Sequence, residues 1–271
     1  MGMFRRHANV YENGKFAVKE IFITESDHCG SKGGLFPLFP SNELFSFQNT
    51  DHYFYSSDKK KANSFHEVFL LPGFVDVHVH LREPGFSYKE TITSGTEAAA
   101  VGGYTAVCSM PNLTPPPDSA DHLKVQTDII EKTAKVHVYP YGCITKAARG
   151  ESLADLAKLA DHVIAFTDDG KGVQSDDVMR AAMRKAAFLG KMIVAHCEDE
   201  RYGCTPESEY LQVKRDLKLV SETGCKYHLC HASTKESVQL IREAKMAGLP
   251  VSAETAPHYL LFTQKDVLDS G

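Results

Sequence analysis

Seven short apolar runs, separated by six stretches of helix length, constrain this chain more than any other feature. They read FVDVHVH (74–80), YTAVCSM (104–110), VHVYPYG (136–142), HVIAFTD (162–168), MIVAHC (192–197), YHLCH (227–231) and PVSAET (250–255). The intervening helical stretches fall at 89–103, near 118–133, 151–160, 175–190, 207–222 and 234–247. Short β-rich runs separated by amphipathic helices imply parallel strands with helical crossovers. Seven such strands exceed what a small doubly wound sheet needs. The expected fold is therefore α/β, a (β/α)8 TIM-like barrel lacking its last strand in this sequence.

Residues 1–72 differ. They hold β-like pieces within ANVYENGKFAVKEIFIT (8–24), then a loose Gly/Ser/Pro/Phe stretch from about 26 to 63. The expected organisation is a small, incomplete β domain over 1–72 and a (β/α) barrel over 73–271. The length of 271 residues and the 42% apolar content suit that pairing. Lys59-Lys60-Lys61 reads as a solvated turn. With a net charge of −5 and no basic patch, nucleic acid is not an expected partner. No apolar run approaches the ~18 residues of a membrane span, and the N-terminus lacks a signal-peptide core. The cytoplasm is the expected compartment. The seven cysteines (29, 108, 143, 197, 204, 225 and 230) form no paired CxxC pattern and read mostly as small buried residues.

The first run carries chemistry. Side chains alternate along a strand, so His78 and His80 point one way and Val77 and Val79 the other. Two imidazoles side by side at the end of a buried strand make half of a metal site. Other polar residues also fall just past strands: Asn112 after the second, Asp168 and Asp169 after the fourth, His196 and His231 at the ends of the fifth and sixth. In a parallel barrel those C-terminal ends share the face where active sites are built. Imidazole and carboxylate ligands suit Zn²⁺, with Mn²⁺, Co²⁺ or Fe²⁺ as other ions of that preference. Four histidines are many for one catalytic zinc. A shared carboxylate makes room for two metals about 3.5–4 Å apart, whose bridging water ionises near neutral pH and hydrolyses unreactive carbonyls such as amides. Arg82, just past the histidine pair, is placed to clamp a substrate carboxylate, its plain alternative being a salt bridge to Glu83. Asn112 is a candidate for the same carboxylate, or a turn residue before a proline-rich loop. Spacing alone leaves open which of Asp168 and Asp169 is the shared ligand.

Taken together, GFVDVHVHLREPG, ETITSGTEAAAVGGYTAVCSMPN, AFTDDGKGVQ, VAHCEDE and YHLCHASTKESV resemble the bacterial type I dihydroorotases of the amidohydrolase superfamily, over residues from about 70 to 262. The resemblance implies reversible, metal-dependent cyclisation of N-carbamoyl-L-aspartate to L-dihydroorotate in pyrimidine synthesis, with two Zn²⁺ per chain. It implies that His78 and His80 bind one metal, His196 and His231 the other, that Asp169 bridges them, and that Arg82 and Asn112 hold the substrate carboxylate. A homodimer and association with aspartate transcarbamoylase fall within what it implies. Many cyclic amidohydrolases, dihydropyrimidinases and allantoinases among them, use a carboxylated lysine at the fourth strand. Here FTDDGKG supplies Asp, and Lys171 reads as a loop residue, which favours dihydroorotase over a hydantoinase-like or allantoinase-like enzyme; a non-catalytic dihydroorotase-like scaffold is the lesser alternative, because degenerate homologues lose metal ligands and every ligand expected within this region is present.

Two departures stand out. The segment between the fifth and sixth strands is shorter than in the family. The sequence also stops at Gly271, before the family's eighth strand, whose Asp binds metal and moves the substrate proton, and before the substrate-binding His and Asn of that region. The expectation is that these 271 residues alone are incomplete for catalysis.

Overall fold

A computed structural model describes residues 3–12, 15–24, 53–56, 69–263 and 265–266, with side-chain environments from residue 72 onward. The described residues divide into two compact units: those within 1–81, 88–108 and 129–139 in one, those within 82–87, 109–128 and 140–271 in the other.

The first unit opens with a hairpin. Strand β1 (Met3–Glu12) pairs antiparallel with β2 (Lys15–Thr24), in a register that sets Tyr11 opposite Phe16. Strand β4 (Phe69–Pro72) lies parallel to β1, and β3 (Tyr53–Ser56) pairs antiparallel with β4, giving the order β2-β1-β4-β3. Strand β3 falls inside the stretch expected to be loose; Lys59-Lys60-Lys61 and Cys29 lie outside the described residues. Strands β5 (Phe74–Val79), β6 (Tyr104–Ser109) and β7 (His137–Pro140) form a second sheet in that order. Helix α1 (Ile92–Val101) connects β5 to β6. Its N-cap is Thr91, whose hydroxyl accepts from the Ser94 N–H while Ser94 reaches back to the Thr91 N–H, satisfying two first-turn donors. Ile92, Leu81 and Val107 form the buried kernel there, flanked by Val79 and by Ile129 of helix α2 (Ala120–Thr133).

The second unit is built on parallel strands β8 (Met192–Ala195), β9 (Lys226–Leu229) and β10 (Val251–Ala253), in the order β10-β9-β8. The expected strand 162–168 is reduced. Ala160–His162 is a 3₁₀ turn, and Phe166 alone makes parallel bridges, to Gly142 on one side and Ile193 on the other. Five backbone hydrogen bonds still tie 164–167 between 140–142 and 192–194. Strand alternation is plain on β9: Tyr227 and Leu229 are fully buried against the helices while His228 faces away. Short helix α3 (Leu156–Leu159) precedes the 3₁₀ turn. Helix α4 (Asp176–Phe188) buries Met179, Ala182, Met183 and Ala186, an i, i+3, i+4, i+7 stripe. Helix α5 (Pro206–Thr223) starts on a proline, which costs no helical hydrogen bond there, and ends at Gly224. That residue takes φ +67° and donates its N–H to the Val220 carbonyl. Helices α6 (Lys235–Met246) and α7 (Pro257–Leu261) complete the order. Six of the seven expected strands and all six expected helical stretches thus have counterparts, displaced mostly by one to a few residues.

Phe166 is fully buried and central to this core. Phe166→Ala should lower the unfolding free energy by about 3–5 kcal/mol, read from the urea midpoint. A loss under ~1 kcal/mol would show that the core does not depend on this position.

Candidate metal centre

Within the second unit, three sequence-predicted residues converge. His196 leaves β8 and His231 leaves β9, and their rings meet edge to face with His196 Nδ1 3.1 Å from His231 Nε2. Asp169 Oδ1 lies 3.7 Å from that Nδ1 and 3.6 Å from that Nε2. The donor atoms of a tetrahedral zinc with bonds near 2.0–2.1 Å are about 3.3–3.4 Å apart. Two imidazole nitrogens and a carboxylate oxygen at 3.1–3.7 Å therefore fit a shared metal ion by both donor type and spacing. Burial works against protonation of His196, but hydrogen bonding and charge from Asp169 and Glu198 outweigh it and push its pKa up. Within the first unit, His78 and His80 lie with Nε2 atoms 3.3 Å apart, again the separation of two ligands on one ion.

The backbone around these residues is fixed tightly. His231 has φ +33°, outside the usual range of a residue with a Cβ. It is held between two backbone bonds, Cys230 N–H to Ala195 O and Ala232 N–H to Glu254 O. Asp169 precedes Gly170, which has φ +81°; a Cβ there would press on the Asn112 amide at 3.1 Å.

The two adjacent aspartates have different partners. The Asp168 carboxylate accepts from the Ile144 N–H (2.8 Å), the Thr145 N–H (3.1 Å) and the Thr145 hydroxyl, away from the histidines. Burial pushes its pKa up to about 6 against the pull of those donors. Asp169 is the one that faces His196 and His231. Spacing left this choice open, and it is the fold that separates them.

Arg82 and Asn112 are placed as follows. Arg82 sits at φ +58°, half-buried, and has no ion-pair partner among the described residues, so the plain salt bridge to Glu83 does not form. Asn112 Nδ2 donates to the Asp169 carbonyl at 2.6 Å, which leaves a second N–H on that nitrogen. Its Oδ1 is buried with no hydrogen-bond partner among the described residues. Lys171 is exposed.

Sequence reading missed the supports. Glu198 Oε2 lies 3.0 Å from His196 Nε2. Along one face of α5, Glu209 accepts from the backbone of Ser233 and Thr234, just past His231. Gln212 accepts from the Glu198 N–H (2.8 Å) and donates to Val173 O. Asp216, fully buried, accepts from Arg215 (2.7 Å) and the Tyr227 hydroxyl (3.0 Å). Burial raises the Asp216 pKa, and the Arg215 charge opposes that. The available signal was a polar stripe at i, i+3, i+7 on a helix otherwise expected to present apolar residues inward.

Comparison with known proteins follows the same lines. A sequence model described as dihydro-orotase-like matches residues 68–203, half of the chain. The chain belongs to the dihydroorotase-like family. It is 51% identical over 217 residues to a dihydroorotase of Staphylococcus epidermidis, covering 73% of this chain and 51% of the relative. It is 48% identical over 218 residues to one of Staphylococcus aureus, with the same coverages. The chain thus spans about half the length of these curated relatives. Among solved structures it resembles an L-hydantoinase (dihydropyrimidinase) from Arthrobacter aurescens, with TM-score 0.70, 20% identity, and coverage of 98% of this chain and 60% of that one. A D-hydantoinase (dihydropyrimidinase) from a Thermus species gives TM-score 0.66 and 18% identity, over 96% of this chain and 58% of that one. These two likenesses concern the fold. Among the described residues of this dihydroorotase-like chain, no helix is long and apolar enough to cross a membrane.

If Asp168 anchors the 144–145 turn, Asp168→Ala leaves buried N–H groups without an acceptor. The expected loss is roughly 1–3 kcal/mol of stability, measured as a lower urea midpoint at unchanged m-value. An unchanged midpoint would remove Asp168 from that role.

Proposed function

We propose that this chain carries the metal-binding residues of a dihydroorotase, which interconverts N-carbamoyl-L-aspartate and L-dihydroorotate. The observation that carries this reading is the Asp169–His196–His231 donor set, formed by the residues that the family motifs single out. In this reading His78 and His80 are the ligands of one Zn²⁺ and His196 and His231 those of a second, with Asp169 shared. Its support is the motif match, together with the ligand-like spacing inside each pair. When bound, the two metals supply a hydroxide at neutral pH and polarise the amide carbonyl.

Two of the chain's own side chains are assigned to holding the substrate. The Arg82 guanidinium, which no carboxylate of the described residues neutralises, pairs with the substrate carboxylate in a bidentate clamp. The second N–H of the Asn112 amide is directed to the same group, while the first fixes the amide against the Asp169 backbone. An aspartate rather than a lysine at the shared position means that no carbamate has to form there. The parallel strands are read as part of a (β/α)8 barrel over 73–271, with residues 1–72 as a small β domain. The cytoplasm is the compartment that suits the substrate. Co-purification would test a second copy and aspartate transcarbamoylase as partners.

Elemental analysis of purified protein should show up to two zinc-type ions per chain. Asp169→Asn should lower that content, because a neutral amide is a poorer shared ligand than a carboxylate. Metal content in Asp169→Asn equal to wild type would overturn the assignment of the bridge.

Substrate recognition by charge is tested separately, in a chain that turns over dihydroorotate. There, Arg82→Lys should cost roughly 1.5–3 kcal/mol of transition-state binding, about a 10–150-fold drop in kcat/KM, with metal content intact. Hydantoin, which lacks the carboxylate, should be a poor substrate, and bicarbonate should not stimulate turnover. Near-normal kinetics in Arg82→Lys would remove Arg82 from the site.

A further inference from the structure

The carboxylate of Glu198 is the least expected contact in the second unit. Glu198 follows His196 by two residues, and its Oε2 lies 3.0 Å from His196 Nε2, the ring nitrogen opposite the one that faces His231 and Asp169. The Glu198 side chain is about half exposed, at 47%, but the chain that carries it is fixed. The Glu198 backbone is clamped from both sides: its N–H donates to the buried Gln212 at 2.8 Å, and its carbonyl accepts from Gln174 Nε2 at 2.7 Å. Gln212 in turn is anchored to Val173 O, and Gln174 to Gly172 O. Other partners were on offer. Arg149 and Lys171 line the same cleft of about 480 Å³ as Glu198, yet no ion pair joins either of them to it.

An ionised carboxylate only accepts hydrogen bonds, so the proton of a neutral His196 ring belongs on Nε2 when Glu198 is its partner. That choice leaves the Nδ1 lone pair free on the side of His231 and Asp169. A histidine that binds metal through one nitrogen typically gives its other N–H to a carboxylate or carbonyl, which fixes the ring and raises its basicity. Resting on the metal reading above, we infer that Glu198 is the positioning residue of His196: it sets the tautomer and ring plane that present Nδ1 as a metal ligand. Glu198 does not itself touch the ion. Gln212 and Gln174 hold Glu198 in place and so act one step further out.

The test uses the 271-residue chain, with Co²⁺ as the probe. Cobalt affinity is measured from the visible absorption of the bound ion. The His196 tautomer is read from imidazole ¹⁵N shifts of the metal-free chain, assigned with His196→Gln. Glu198→Ala should weaken cobalt binding roughly 10–100-fold and move His196 away from the Nε2–H tautomer. Glu198→Gln keeps an acceptor oxygen at the same position, so it should retain the tautomer and lose less affinity than Glu198→Ala. A purely structural role for Glu198 would not shift the tautomer. Wild-type-like affinity and tautomer in Glu198→Ala overturn the role of Glu198 while leaving the metal site standing. An equal loss in both variants with the tautomer unmoved also overturns it. Failure of the wild-type chain to bind cobalt overturns the metal reading itself, and this inference with it.

Discussion

The polar face of helix α5 is the constraint on which the candidate site depends. Residues 209, 212 and 216 recur at helical spacing, and each reaches a different piece of chain around β8 and β9. Glu209 takes the backbone just past His231, Gln212 takes Glu198 and Val173, and Asp216 takes Tyr227 and Arg215. Loops at strand ends have few ladder bonds of their own, so an ion site built on them needs such external anchors to hold its ligands. A rigid helix provides several anchors at once with their mutual spacing fixed. The burial of Asp216 has a cost, since a carboxylate out of water is unfavourable unless paired. Arg215 and the Tyr227 hydroxyl supply that pairing, and Arg215 extends it to Asp176 and the 173–174 carbonyls.

The two neighbouring aspartates show how one short sequence serves both folding and chemistry. Asp168 and Asp169 follow the bridged Phe166 and turn to different partners. Asp168 organises the 144–145 turn through three donors. Asp169 is left with two imidazoles near its Oδ1 and a backbone carbonyl tied to Asn112. The unusual backbone at His231 and Arg82, both with positive φ, belongs to the same picture. Conformations that are costly in isolation persist where surrounding contacts over-determine them, and such positions cluster at functional sites.

The organisation of the fold was legible from the sequence because hydrophobic periodicity is a local signal. Runs such as MIVAHC and YHLCH became β8 and β9, and the 175–190 pattern became α4 with Met179, Ala182, Met183 and Ala186 inward. Where that reading missed, the cause lies outside the segment. The run HVIAFTD has strand composition, but its pairing narrows to bridges at Phe166 because the neighbouring segments 140–142 and 192–194 meet it fully only there. Tyr53–Ser56 has a composition that read as loose, and its strand exists through pairing with β4.

Sequence alone determined the candidate ligand types and their places near strand ends: histidines 78, 80, 196 and 231, an aspartate pair at 168–169, and an arginine at 82. Those facts follow from residue identity and from short-range alternation, which need no knowledge of what lies across the fold. Only the tertiary structure decided which aspartate faces the imidazoles, that Arg82 has no acidic partner among the described residues, and that Glu198 and the α5 stripe contact His196 and the chain around it and around His231. Each of these depends on residues far apart in the chain or on backbone torsions set by packing. Hydrogen bonds and ion pairs of that kind leave no periodic trace in the sequence, because their geometry exists only once the strands and helices have come together.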